Sequence, residues 1–291
     1  MKFNAQRLRV LQNAMASTET AFRLNQTWQA IHDEYNIGLI RGQHIELTAK
    51  DKQELRAVVR ESQAVDLLAM APQRFADMDR EQVLQWANDE KLAGQAVKRQ
   101  RLALKLLPGR TLNVNGQAYT LPGSGHWDVA LDSIASIEHD GLCIVENYRC
   151  FDRLHCLTLE AAFLQSNLLV VYRGDNQYQA DTVLALSEQM AVPVWVMGDI
   201  DPKGLSLAQA YPRFAGLIAP EWTVLADYFQ NPEKRNPTLY AEQLAGCRQA
   251  LAHTRFSIIK SCWDLIKQYQ AGVVQEHWLT DAVTLGLQPA D

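Results

Sequence analysis

Cysteine is scarce and carries no pairing pattern. Cys143, Cys150, Cys156, Cys247 and Cys262 form no CxxC, and five is an odd count. That argues against a disulfide framework and a structural zinc site, and for buried thiols in a reducing cytoplasm. The seven histidines, at 32, 44, 126, 139, 155, 253 and 277, show neither HxH nor HxxxH spacing. Long apolar runs are missing too. The longest, at 168–172 and 192–197, are strand-sized, far from the ~18 residues that cross a bilayer. The N-terminal stretch has charge but no apolar core, so no secretory signal is read there and no membrane partner is expected. Neither GxxxxGK[ST] nor GxGxxG occurs, so nucleotide binding through those loops is unsupported. Positive charge is in deficit: 28 Lys and Arg against 33 Asp and Glu give a net charge of −5. A uniformly basic nucleic-acid coat is excluded, but a local basic face is not.

What is present is ordinary globular material, 47% hydrophobic and 21% charged in 291 residues. At about 150 residues per domain this predicts roughly two domains. Over 1–35, Leu8, Leu11, Met15, Phe22, Trp28 and Ile31 recur at helical spacing. Thr48 and Asp51 form a capping box ahead of Leu55, Val58 and Val59. After Pro72, Asp79 reads as the N-cap of a helix through Val83, Leu84 and Trp86.

Residues 91–110 carry Lys91, Lys98, Arg99, Arg101, Lys105 and Arg110 and no acidic residue. With Val97, Leu102, Leu104 and Leu106 as an apolar face, the segment reads as a basic helix. Lys98, Arg99, Arg101 and Lys105 are its candidate DNA-phosphate contacts, since each neutralised phosphate releases counterions. A merely solvated helix face is the competing reading. Asn115-Gly116 between two β-prone runs then predicts a hairpin with a type I′ turn. The expected division is a helical arm over 1–80, a winged-helix-like module over 81–135, and an α/β domain with C-terminal helices over 136–291.

From residue 136 the texture changes. The short apolar runs LCIV, NLLVVY, VPVWVM and 214–219 alternate with helical stretches at 151–165, 181–190 and 204–210. Strands without polar alternation, separated by helices, predict a parallel sheet covered on both faces. Residues 221–237 read as a loop and 239–285 as helix.

Ligands of open parallel sheets bind beyond the carboxyl ends of the strands. Glu146 follows the first run, Arg173-Gly174-Asp175 the second, and Gly198-Asp199-Ile200-Asp201-Pro202-Lys203-Gly204 the third. Carboxylates converging there suit Mg2+ or Mn2+, which take hard oxygen ligands and retain water. Gly198 and Gly204 would let a phosphate approach the backbone. The competing reading is that the aspartates cap the next helix.

Strand-Glu followed by strand-DxD, in the strings IVENYRCF, VVYRGDNQ and VWVMGDIDPKG, resembles the Toprim domain. GDIDPKG is similar to the version in topoisomerase VI A subunits and the related meiotic break-forming proteins. The three strings together look closest to the nuclease subunits of Wadjet systems, the JetD type. The resemblance covers roughly 136–220. It implies a Rossmann-like Toprim sheet behind a mainly helical, winged-helix-containing N-terminal region. It also implies a metal-dependent DNA endonuclease in which Glu146, Asp199 and Asp201 are catalytic and hold Mg2+ or Mn2+. Asp175 and Lys203 are possible additions to that site. The implied partners are double-stranded DNA, a second copy of the chain for cutting both strands, and an SMC-type ATPase complex that restricts plasmids. The implied compartment is cytoplasmic.

Topoisomerase VI A subunits cut with an upstream tyrosine. The tyrosines before Glu146 are Tyr35 and Tyr119, and neither has matching surroundings, which favours hydrolysis over strand passage. Two other readings stand beside the nuclease: a chemically silent DNA-binding or assembly subunit, and a phosphoryl-transfer enzyme for small molecules.

Overall fold

The computed structural model describes residues 3–69, 78, 80–88, 92, 98–175 and 177–291. The chain forms two compact units, 1–97 and 98–291.

The first unit is built from helices and a small sheet. Helix α1 (Ala5–Ala16) is capped by Asn4 and α2 (Gln26–Tyr35) by Asn25. Between them lies β1 (Ala21–Arg23), which puts Phe22 on a strand, where helical spacing had placed it on a helix. With β2 (Leu39–Arg41) and β3 (His44–Glu46) it makes an antiparallel sheet in the order β1-β3-β2. Helix α3 (Ala49–Gln63) opens with the expected capping box: the Thr48 side chain accepts from the Asp51 N–H, and the Asp51 carboxylate accepts from the Thr48 N–H. Leu8, Leu11, Trp28, Ile31, Leu55 and Val59 form the core. Helix α4 (Arg80–Leu84) follows. The N-cap expected at Asp79 lies outside the described residues.

The second unit is a mixed α/β body around an eight-stranded sheet. Its strands are β4 (Arg101–Leu106), β7 (Trp127–Ala130), β8 (Gly141–Val145), β9 (Thr158–Leu159), β10 (Leu168–Tyr172), β11 (Val194–Met197), β12 (Phe214–Pro220) and β13 (Thr284–Pro289). Their order is β7-β4-β10-β8-β11-β12-β13-β9. The central four, β10, β8, β11 and β12, are mutually parallel. Every residue of β8 and β10 is buried, as expected of strands covered on both faces. Hairpin β5 (Leu112–Val114) and β6 (Gln117–Tyr119) stands apart, with positive φ at both Asn115 and Gly116, the geometry a type I′ turn requires.

Helices α5 (Tyr148–Asp152), α6 (Ala161–Gln165), α7 (Ala180–Met190) and α8 (Pro202–Ala208) connect the strands. Helices α9 (Trp222–Gln230), α10 (Pro237–Ala252), α11 (Ser257–Tyr269) and α12 (His277–Thr280) follow, with α10 packed on α8 and α11. Among the described residues, no helix is long and apolar enough to cross a membrane.

Several expectations are corrected. The basic segment is not a helix over 101–106 but strand β4, antiparallel to both β10 and β7; residues 91 and 93–97 lie outside the described residues. The strand forms because Leu102 to Leu106 is a continuous run buried on both faces. The unit boundary falls after residue 97, and β4 and β7, on either side of the hairpin, belong to the large sheet where a separate 81–135 module was expected. The stretch 151–165 breaks into α5, a 3-10 turn, β9 and α6. Residues 222–230 are helix α9, where a loop was expected. The chain ends in β13, antiparallel to β12, which adds an unforeseen strand to the parallel core.

Candidate active site

Strand β10 lies on one side of β8 and β11 on the other, so the chain order reverses around β8. Such a switch point opens a crevice beyond the carboxyl ends of the strands. The register aligns what leaves that edge. Tyr172 and Met197 both pair with Val145. Arg173, Glu146 and Gly198, each one residue further on, therefore emerge side by side.

The Asp199 backbone N–H reaches Glu146 Oε2 at 3.4 Å. On the other flank the Arg173 guanidinium sits 3.5 Å from Glu146 Oε1. Burial pushes the Glu146 carboxyl up, and the Arg173 charge only partly offsets this. Burial pushes the Asp199 carboxyl up to about 7. A hydrogen bond from the Gln275 N–H works against it, and the charges of Glu146, Asp201 and Glu276 work with it. Two carboxylates with displaced proton affinities in one crevice mark a functional-site candidate.

Asp201 has a different role. It is buried and is the N-cap of α8. Its Oδ1 accepts from the Gly204 N–H at 2.6 Å and its Oδ2 from Gln243 Nε2, on α10, at 2.8 Å. Pro202 at the first helical position suits the same cap. Among the described residues, no group of three or more His, Cys, Asp or Glu side chains is gathered to hold a metal ion. The three expected carboxylates are not gathered round one point among the described residues, though the charge of Asp201 is felt at both Glu146 and Asp199. Glu146 and Asp199 come together, and Asp201 is turned into the helix start.

The two glycines are also explained from within. A Cβ on Gly204 would lie 2.2 Å from the Asp199 carbonyl oxygen, and one on Gly198 would lie 2.9 Å from Glu146 Oε2. Their missing side chains make room for the site's own groups, where space for a phosphate was expected.

Asp175 does not join the pair. Its Oδ1 accepts from the Gln177 and Tyr178 N–H groups in a local turn. Lys203 is exposed, and its charge is felt at Glu146. The DNA-contact set does not hold together either. Lys105 is 2% exposed and donates to the Phe151 and Asp152 carbonyls at the end of α5. Its long apolar stem explains how a cation fits within a buried strand. Lys98 and Arg101 are both paired with Asp128, and Lys98 also bonds the Tyr178 hydroxyl. Arg99 alone of the four is exposed, and it makes no such pair among the described residues. Tyr119 is exposed on β6 and donates to Gln117, while Tyr35 stacks on Phe3 in the first unit.

Sequence reasoning missed the residues that support the pair. The segment 272–275 bridges to Ile200, with Val273 and Ile200 exchanging both backbone hydrogen bonds. This places the Gln275 N–H 2.8 Å from Asp199 Oδ1. Glu276 accepts from the Asn147 side chain, which in turn caps α5. Gln275, Glu276 and Gln243 lie in stretches read only as helix, so no sequence signal marked them. Arg173 did have one: it stands at a strand end, level with Glu146.

The family described as a domain of unknown function, DUF7281, matches residues 99–287, and the chain belongs to it. The match begins next to the boundary between the two units and takes in the whole crevice. No curated protein matches the chain.

Proposed function

We propose that the second unit is a Toprim-type, divalent-metal-dependent phosphodiester hydrolase acting on double-stranded DNA. The observation that carries this reading is the pair Glu146 and Asp199, shielded carboxylates at the carboxyl ends of adjacent parallel strands, with Arg173 beside them. The strand-Glu and strand-DxD resemblance agrees with that placement. It extends the proposal to a cytoplasmic chain that works as a two-fold pair with an SMC-type ATPase partner against plasmid DNA.

The donor set fits one hard cation bound through Glu146 and Asp199. Mg2+ commonly keeps several waters and uses only one or two carboxylates plus substrate phosphate. Asp201 is assigned to the fold rather than to the metal: it is 3% exposed, and its oxygens serve the helix start and Gln243. Mg2+ or Mn2+ held there would supply Lewis-acid polarisation of a phosphoryl oxygen and an acidified water.

The chain's own groups do the rest. Burial pushes both carboxyls up, Asp199 to about 7, and an acid–base group works best with a proton affinity near the operating pH. The Gln275 N–H fixes the Asp199 carboxylate. Arg173 offers its guanidinium to phosphate, which its planar donor fork matches.

One observation favours a second reading, a DNA-binding or assembly subunit without chemistry: the commitment of Asp201 to its cap. Incubation of supercoiled plasmid with Mg2+ or Mn2+ decides between them. Nicked or linear product that EDTA abolishes supports the hydrolase, and plasmid that binds but stays intact supports the silent subunit.

A further inference from the structure

Next to Glu146 lies a cavity of about 160 Å³, lined by Arg173, Ala180, Asp181, Leu184, Leu207, Ala210 and Tyr211. The geometry points to a nucleotide subsite, in which the cavity takes one unstacked base and Arg173 takes the adjoining phosphate. The inference rests on the phosphodiester reading of the crevice and deepens it.

Three observations on the cavity converge. Its size is well below the ~300 Å³ at the lower end of sites for whole small ligands, so it suits one ring system belonging to a longer molecule. Its walls are apolar, from Ala180 and Leu184 on α7 and Leu207 at the end of α8, and Leu184 is 37% exposed. Such walls, with an aromatic ring, take the face of a base without regard to its identity. Tyr211 supplies that ring; burial pushes its hydroxyl up to about 12, so it stays a neutral donor.

Arg173 links cavity and crevice, since it lines the one and faces Glu146 in the other. Its Nε is buried and has no acceptor among the described residues. A buried donor without a partner is costly, and a phosphate oxygen would satisfy it. Asp181 at the rim repels phosphate, which sets the orientation: phosphate toward Arg173 and Glu146, base toward Leu184. A paired, stacked base does not reach such a cavity, so in double-stranded DNA the nucleotide beside the cut phosphate leaves the stack to enter it.

The test uses full-length protein in EDTA, titrated by calorimetry with deoxyadenosine 5′-monophosphate and with deoxyribose 5-phosphate. The expected result is binding of the nucleotide tighter by about tenfold or more, in line with one stacked base. Leu184→Trp fills the cavity from an exposed helix position and should erase that difference. Ala210→Leu does the same from another lining position, should Leu184→Trp fold poorly. Arg173→Met should weaken both ligands alike. Equal affinity for the two ligands in the wild type, or nucleotide binding unmoved by both filling variants, overturns the subsite. Nucleotide preference in a protein that cuts no plasmid keeps the subsite and removes the hydrolase, and cleavage without preference does the reverse.

Discussion

Glu146 and Asp199 meet across the carboxyl edge of β8 and β11, where the Asp199 N–H lies 3.4 Å from Glu146 Oε2. The contact follows from register, because Val145 pairs with Met197 one step earlier. Two acidic side chains are thereby held in a crevice where burial disfavours the charge of both.

This predicts a pH dependence of metal-free stability. The folded Asp199 carboxyl titrates near 7, against about 3.9 in an unfolded chain. Between roughly pH 4 and 7 the folded state holds a proton that the unfolded state has released. The group therefore supports folding at the acid end, and that support is lost as pH rises to about 7. Glu146 shifts in the same direction. In EDTA, Asp199→Asn should gain on the wild type in Tm as pH goes from 4.5 to 8, and Mg2+ should raise the Tm of the wild type alone. Parallel curves for the two proteins would contradict the shared crevice.

Asp201 should behave as a cap. Asp201→Ala removes the acceptor of the Gly204 N–H and the partner of Gln243. Loss of an N-cap costs about 0.5–2 kcal/mol, and the lost bond to half-buried Gln243 adds about 0.5–1.5 kcal/mol. At about 2–4 °C per kcal/mol for a unit of this size, Tm should fall by several degrees with or without Mg2+. An unchanged Tm would return Asp201 to the metal set.

Much of this fold was legible in the sequence. The apolar runs of β8, β10 and β11, the Asn115-Gly116 turn and the Thr48 capping box are local signals, and each stands where expected. Other features depend on partners distant in the chain. Lys105 looked like a surface cation because the carbonyls that receive it come from α5. Strand β13, with Gly286 and Gln288, has little strand character until β12 offers its edge. Asp199 and Asp201 were legible as a pair at a strand end, but their separate roles depend on Gln275 and Gln243, which only tertiary packing brings to them.

The basic segment yields a contrast between neighbours. Lys105→Ala strips two carbonyls of their donor and should cost about 1–3 kcal/mol, read as a lower Tm. Arg99→Ala should leave Tm unchanged. Asp128→Ala should release both Lys98 and Arg101. Burial pushes the Asp128 carboxyl up, but the bonds from Lys98, Tyr178 and Arg101 outweigh it and hold the group at about 2. Its support for folding is therefore present above about pH 4 and lost as pH falls toward 2. Chemical denaturation at pH 7 and pH 3 should show a smaller difference between wild type and Asp128→Ala at the lower pH. An equal difference at both would contradict the cluster.

The central claim is that Glu146 and Asp199, and not Asp201, carry the chemistry. Supercoiled plasmid should be incubated with Mn2+ and wild type, Glu146→Gln, Asp199→Asn or Asp201→Asn, below the Tm of each protein. Cleavage is expected from the wild type and from Asp201→Asn, with a loss of about 100-fold or more in the other two, typical for removal of a group that acts in the transition state. Intact plasmid with the wild type, or cleavage that survives in both Glu146→Gln and Asp199→Asn, would contradict the claim.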